Sequence, residues 1–137
     1  MATLRAAEAL VGLPYVARTA DCWHLALRAQ RELFGRAVAW PLAQHPVRAE
    51  RQAALLHSVI GSLARPLADG EAPQAGDAVL WLAGGGRHTH FHIGTLLLHA
   101  GEQWVLHTSE ELGASVLQRL AECPLAGLRL EGIYRWL

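Results

Sequence analysis

Cysteine is scarce in this chain: Cys22 and Cys123 are the two in 137 residues. Two thiols cannot build the multi-bridge framework of a small secreted domain. A single Cys22–Cys123 bridge is the one pairing open to them, and it would consume both. No apolar run reaches the ~18 residues that a membrane-spanning helix needs. Neither sign of charge is in excess, with 12 Lys+Arg against 12 Asp+Glu. That leaves no basic footprint for nucleic acid or an anionic membrane surface, so neither is expected as a partner. The opening MATLRAAEALVG lacks the apolar stretch of a secretory signal. The expected location is therefore cytoplasmic as synthesised, or elsewhere if an assembly carries the protein out. Internal repeats and dividing linkers are missing too. What remains is one domain over residues 1–137, 52% hydrophobic and long enough to bury a core.

Helical signals fill the first half. Thr3 can cap a short helix with Leu4, Ala7, Leu10 and Val11 on one face, ended by Gly12 and Pro14. Asp21, a favoured N-cap residue, opens a second helix through residue 34, closed by Gly35. Residues 40–46 read as a loop, and 47–63 as a third helix with Ala53, Leu56, Val59, Ile60 and Leu63 aligned. The period then changes. Residues 65–76 read as loop, 77–82 as a strand, and Gly84–Gly86 as a turn. Residues 91–99 and 103–107 read as strands around a tight turn at Ala100-Gly101, and 114–120 and 130–136 as two more. Helices precede strands, so the expected class is α+β with a mostly antiparallel sheet.

Chemistry concentrates at one cysteine and a cluster of histidines. Cys22 is the first residue of the second helix. The unpaired amides and positive dipole end there favour a thiolate. That effect is worth ~0.3–1 kcal/mol, up to about 2, against about 1.4 kcal/mol per pKa unit. It moves a thiol near 8.5 by roughly one unit, so full ionisation at neutral pH needs a paired imidazolium as well. The turn at Ala100-Gly101 sets Gly94 opposite His107 and puts His92 one diagonal step from His107 on the same face, about 7–8 Å or less. His99 faces the other way. A cysteine peptidase needs a thiol, an imidazole that holds and returns its proton, and a polar group that orients the imidazole. Cys22, His92 and His107 are the candidates for those roles.

At these residues the sequence resembles the NlpC/p-sixty superfamily of cell-wall cysteine peptidases, whose fold is papain-like. Gly12-Leu13-Pro14-Tyr15 is similar to the family's G-x-P-Y, and Asp21-Cys22 to its D-C nucleophile step. Gly76-Asp77-Ala78-Val79-Leu80-Trp81 is similar to its G-D-hydrophobic strand. His92-Ile93-Gly94 resembles its base strand, and Leu106-His107-Thr108-Ser109 the strand of its third residue. The motifs keep the family's order from Gly12 to the C-terminus. The resemblance implies a metal- and cofactor-independent hydrolase acting on peptidoglycan stem peptides, typically between D-γ-glutamate and diaminopimelate. It implies that Tyr15 lies near the nucleophile and helps bind substrate or oxyanion. Asp21, Trp23, His24 and Trp81 join it as expected substrate-site residues, with Trp23 and Trp81 walling the cleft. Most relatives continue D-C-S-G, whereas Trp23-His24 follows here. The Trp is similar to the D-C-W-G-L of phage tail-assembly members, which implies phage tail proteins as partners and a virion-associated location. His24 replaces a small residue and is expected to alter substrate fit.

Rival readings stand beside this one. Cys22 can be a small core residue, His92 and His107 satisfied core histidines, and Tyr15 turn packing. His88, His90 and His92 alternate and can form a Zn²⁺ site, although no Cys pair or HExxH accompanies them. Cys123, before Pro124, reads as an ordinary thiol, and His45, His57 and His99 as surface or loop residues. On the same scaffold the protein can be a catalytically idle structural tail-assembly component, or a thiol amidase or acyltransferase.

Overall fold

The computed structural model describes residues 4–17, 19–39, 61–83 and 90–137. Helix α1 (Leu4–Ala7) tightens into a 3-10 turn at Glu8–Leu10, and helix α2 (Cys22–Phe34) follows. The strands are β1 (Ala64–Pro66), β2 (Ala78–Ala83), β3 (His90–His99), β4 (Glu102–His107), β5 (Val116–Arg119) and β6 (Leu128–Trp136). They make one sheet in the order β1-β6-β2-β3-β4-β5, and every neighbouring pair is antiparallel. The class is α+β, as expected. Among the described residues no helix is long and apolar enough to cross a membrane.

Local chemistry explains the elements that position the site. Asp21 is extended and its carboxylate accepts the His24 backbone N–H at 3.0 Å, the bond that starts α2. Gly35 closes the helix at φ 65°, a left-handed conformation that costs glycine little. The face carrying Cys22, Ala26 and Ala29 is buried against the sheet. Gln30 is buried on this helix without penalty, because it donates to Gly76 O at 2.9 Å and accepts from Arg36 at 3.0 Å. Ala100 (φ 51°) and Gly101 (φ 77°) are both left-handed between the paired His99 and Glu102, as a two-residue type I′ hairpin requires.

The central strand β2 is buried on both faces, which is why its AVLWLA reads as a continuous apolar run. Phe91 and Ile93 pack with Cys22, Trp23 and Ala26 on the α2 side. Leu96 packs with Val79, Trp81, Val105 and Cys123 on the other side, under a 3-10 segment at Leu120–Ala126. Asp77, at the entry to β2, anchors the sheet by ion pairing. It accepts from Arg135 Nε at 3.0 Å, Arg135 Nη2 at 2.9 Å and the Gln74 backbone N–H at 2.8 Å. Arg65 and Arg135 face each other across β1 and β6, and the Glu71 carboxylate bridges them at 2.7 and 2.8 Å.

Several expectations need correction. Val11 lies 39% exposed, not on the α1 face, because it caps the 3-10 turn in an extended conformation and leaves the helical spacing. The stretch read as loop from residue 65 begins with β1, whose Pro66 is tolerated on an edge strand. The strand expected over 114–120 is confined to β5, with Ala114 making an isolated bridge to Pro14 and Leu120 starting the 3-10 segment. β6 starts two residues earlier than expected, at Leu128. Cys123 belongs to that 3-10 segment and is wholly buried. Thr3, the loop at 40–46, the Gly84–Gly86 turn, His45 and His57 lie outside the described residues. So does the helix expected over 47–63, apart from residues 61–63, which are helical.

Candidate active site

Four elements bring the expected site residues together. The β3–β4 ladder runs from His99↔Glu102 to Thr95↔Leu106. Beyond it the Ile93 backbone N–H donates to the Cys22 sulfur at the start of α2. The segment preceding α2 is held by Ser115. Its hydroxyl accepts the Leu13 N–H at 2.9 Å and donates to Leu10 O at 2.6 Å, and the Tyr15 N–H donates to Gly113 O at 2.9 Å. Tyr15, Cys22, Phe91 and His92 thereby line one cavity of about 200 Å³ with residues 108–111.

Behind His92 the side chains continue across the sheet in diagonal steps. His92 Nε2 lies 2.8 Å from His107 Nδ1, and His107 Nε2 lies 2.9 Å from Gln118 Oε1. The two imidazoles meet edge-on, with centroids 5.1 Å apart and planes at 79°. Trp81, paired directly with His92 across β2 and β3, stands 5.3 Å from the His92 ring and 5.5 Å from the His107 ring. The expected diagonal proximity of His92 and His107 is thus a direct contact.

The electrostatics of the thiol differ from the helix-dipole expectation. Burial pushes the Cys22 thiol up to about 12, and the Asp21 carboxylate adds to the rise. The N–H groups of Ile93, Trp23 and Cys22 oppose it without overcoming it. At 7% exposure the desolvation of a thiolate outweighs the helix terminus. Burial also lowers His107, partly offset by Gln118, so that imidazole favours its neutral form. Tyr15 is raised by burial first, then by Cys22 and the nearby carboxylates. The thiol therefore favours its protonated form, in a cavity that Glu110 and Glu111 also line.

The remaining expected site residues separate into other roles. Asp21 is fully buried as the N-cap. His24 leans back onto it, with Nδ1 2.7 Å from Asp21 Oδ1. His24 lines a neighbouring cavity of about 270 Å³ with Leu13, Pro14, Arg28 and Arg31, and Thr108 borders both cavities. Trp23 points into the core beside Ala26 and Leu80, and Trp81 backs the histidines; neither lines the Cys22 cavity. Both cysteines are free, so they are not bridged. Among the described residues no group of three His, Cys, Asp or Glu can hold a metal ion. Of the alternating triplet, His88 lies outside the described residues and His90 is described in its backbone alone. Gln118 and Ser115 were not legible as site residues. A lone amide between Leu117 and Arg119 is a weak signal, and the connection over 108–115 leaves the register of β5 open.

Compared with protein-family models, curated proteins and solved structures, the chain gives no match.

Proposed function

We propose that the protein is a papain-like cysteine endopeptidase of the NlpC/p-sixty type, hydrolysing peptidoglycan stem peptides at a D-γ-glutamyl–diaminopimelate bond, in the setting of a phage or prophage tail. One observation carries the reading: Cys22 at a helix N-terminus shares a cavity with His92, and His107 holds His92 from behind at 2.8 Å. The order of motifs along the chain supplies the substrate class.

In this mechanism His92 takes the proton of Cys22 Sγ as the sulfur attacks the scissile carbonyl carbon. The Tyr15 hydroxyl and amides at the start of α2 stabilise the developing oxyanion. The tetrahedral adduct collapses with cleavage of the C–N bond, and the imidazolium returns its proton to the leaving amine. Water, deprotonated by His92, then attacks the thioester; the acid leaves and Sγ recovers a proton. Because burial holds the thiol near 12, proton transfer accompanies attack instead of preceding it in a stored ion pair.

Incubation with muropeptides and mass analysis of the products tests the reading. The wild type is expected to release fragments ending in D-γ-glutamate. Cys22→Ala and His92→Ala are expected to release none, and EDTA to change nothing. Absence of cleavage by folded wild type overturns it. The buried thiol favours a second reading, a catalytically idle structural tail component. Transfer of the acyl group to an amine, or release of ammonia, would instead identify an acyltransferase or amidase.

A further inference from the structure

The contacts behind His92 fix more than its position. A carboxamide oxygen only accepts hydrogen bonds. Gln118 Oε1, 2.9 Å from His107 Nε2, therefore requires the proton of His107 to sit on Nε2. A neutral imidazole carries one N–H, so His107 Nδ1 is an acceptor. Its 2.8 Å contact must then be a bond donated by His92 Nε2–H. With Nε2 protonated and committed to His107, His92 keeps its basic lone pair on Nδ1, the tautomer a general base acting through Nδ1 needs. Rotating the Gln118 amide by half a turn reverses every bond in the row. The amide N–H₂ would donate to His107 Nε2, His107 Nδ1–H would donate to His92 Nε2, and Nδ1 of His92 would carry the proton and lose its basicity.

A second contact lies beside the Gln118 amide oxygen. The wholly buried Cys123 thiol lies 3.8 Å from Gln118 Oε1 and 3.6 Å from Arg119 O. Burial pushes this thiol up to about 11, so it stays an S–H group beside an amide oxygen. The thiol has one proton and Arg119 O is its nearer acceptor, so His107 Nε2–H is the principal donor to Gln118 Oε1 and the sulfur packs beside that oxygen.

We propose that Gln118 is a positioning residue that sets the tautomers of His107 and His92 and so decides whether His92 can act as a base. The proposal rests on the reading of Cys22 and His92 as nucleophile and base. Nitrogen-15 spectra of histidine-labelled protein at neutral pH test it directly. Wild type is expected to show both His92 and His107 protonated at Nε2. Gln118→Glu keeps an acceptor in either orientation and is expected to keep both tautomers. Gln118→Leu is expected to mix them and to slow alkylation of Cys22 at pH 7 at least about tenfold, a part of the roughly 10²–10⁴-fold that a general base contributes. Gln118→Glu should restore the rate.

A wild-type spectrum with His92 protonated at Nδ1 overturns the proposal without any variant. Unchanged tautomers in folded Gln118→Leu overturn it as well. Failure of the functional reading looks different: His92→Ala would then leave Cys22 alkylation unchanged, whatever the spectra show.

Discussion

Gly94 packs against Val105 and against Trp81, which backs the histidine pair, and adding one methyl group there probes the site's packing. A Cβ at Gly94 would lie 2.4 Å from Val105 Cγ1 and 3.0 Å from Trp81 Cζ3. Ordinary carbon contacts begin near 3.5 Å, so Val105 or the strand must give by about 1 Å. The backbone does not forbid alanine, because Gly94 has no positive φ. The cost is therefore one of overpacking, typically ~1–3 kcal/mol. Val105 is wholly buried and Trp81 almost so, leaving little room to yield, which puts Gly94→Ala at about 2–3 kcal/mol. In urea, with a slope of ~1–3 kcal/mol/M, the unfolding midpoint should fall by on the order of 1 M. Val105→Ala should rescue part of this loss, since the double variant removes the clash along with the methyl groups. A double-mutant coupling of about 1–2 kcal/mol is expected for neighbours in contact. Gly94→Ala should also slow Cys22 alkylation, because Trp81 backs both imidazoles. A stability within about 0.5 kcal/mol of wild type, or a coupling of zero, would refute the steric reasoning.

Three further predictions concern the frame around the site. Asp77→Ala strips two bonds from Arg135, which is 19% exposed and keeps Glu71, so the loss should lie near the low end of the buried-pair range, about 3 kcal/mol by denaturant unfolding. The Glu71 carboxyl is held down to about 2, first by its hydrogen bonds to Arg65. A depressed carboxyl contributes stability fully above its unfolded value near 4.5, and the contribution disappears as pH falls toward 2. Acid titration of wild type should show a loss of stability in that window that Glu71→Gln lacks. Asp21→Ala should cost about 0.5–2 kcal/mol as a lost cap, while Asp21→Asn should retain most of it, measured by thermal melts.

Legibility in the sequence followed the range of the interactions. The α2 boundaries depend on Asp21 and Gly35, local signals that caps and left-handed glycine make readable. The hairpin turn at Ala100-Gly101 fixes its own register, and the register alone put His92 beside His107. The β1 strand has only three residues and exists because β6 is there to pair with it, so no local pattern announced it. Gln118 reaches His107 only through a register set after a long connection. The dipole at the start of α2 would govern the Cys22 thiol only if the helix end met solvent. The packing of Ile93, Phe91 and Trp23 around the thiol reverses that balance, and burial is a tertiary quantity. Trp23 follows the nucleophile in sequence, but one residue along a helix turns the side chain by about 100°, and Trp23 points into the core instead of walling the cleft.

The most direct test of Cys22 and His92 as a working pair is the rate of Cys22 alkylation by a small electrophile against pH, in wild type and in His92→Ala, read at the Cys22 peptide by mass so that Cys123 does not contribute. Wild type is predicted to react at pH 7 at least about tenfold faster than the variant, and the variant to approach it only as pH rises toward the value near 12 that burial imposes on the thiol. Superimposable profiles, rising together only at high pH, would contradict the pairing and leave Cys22 a buried core thiol.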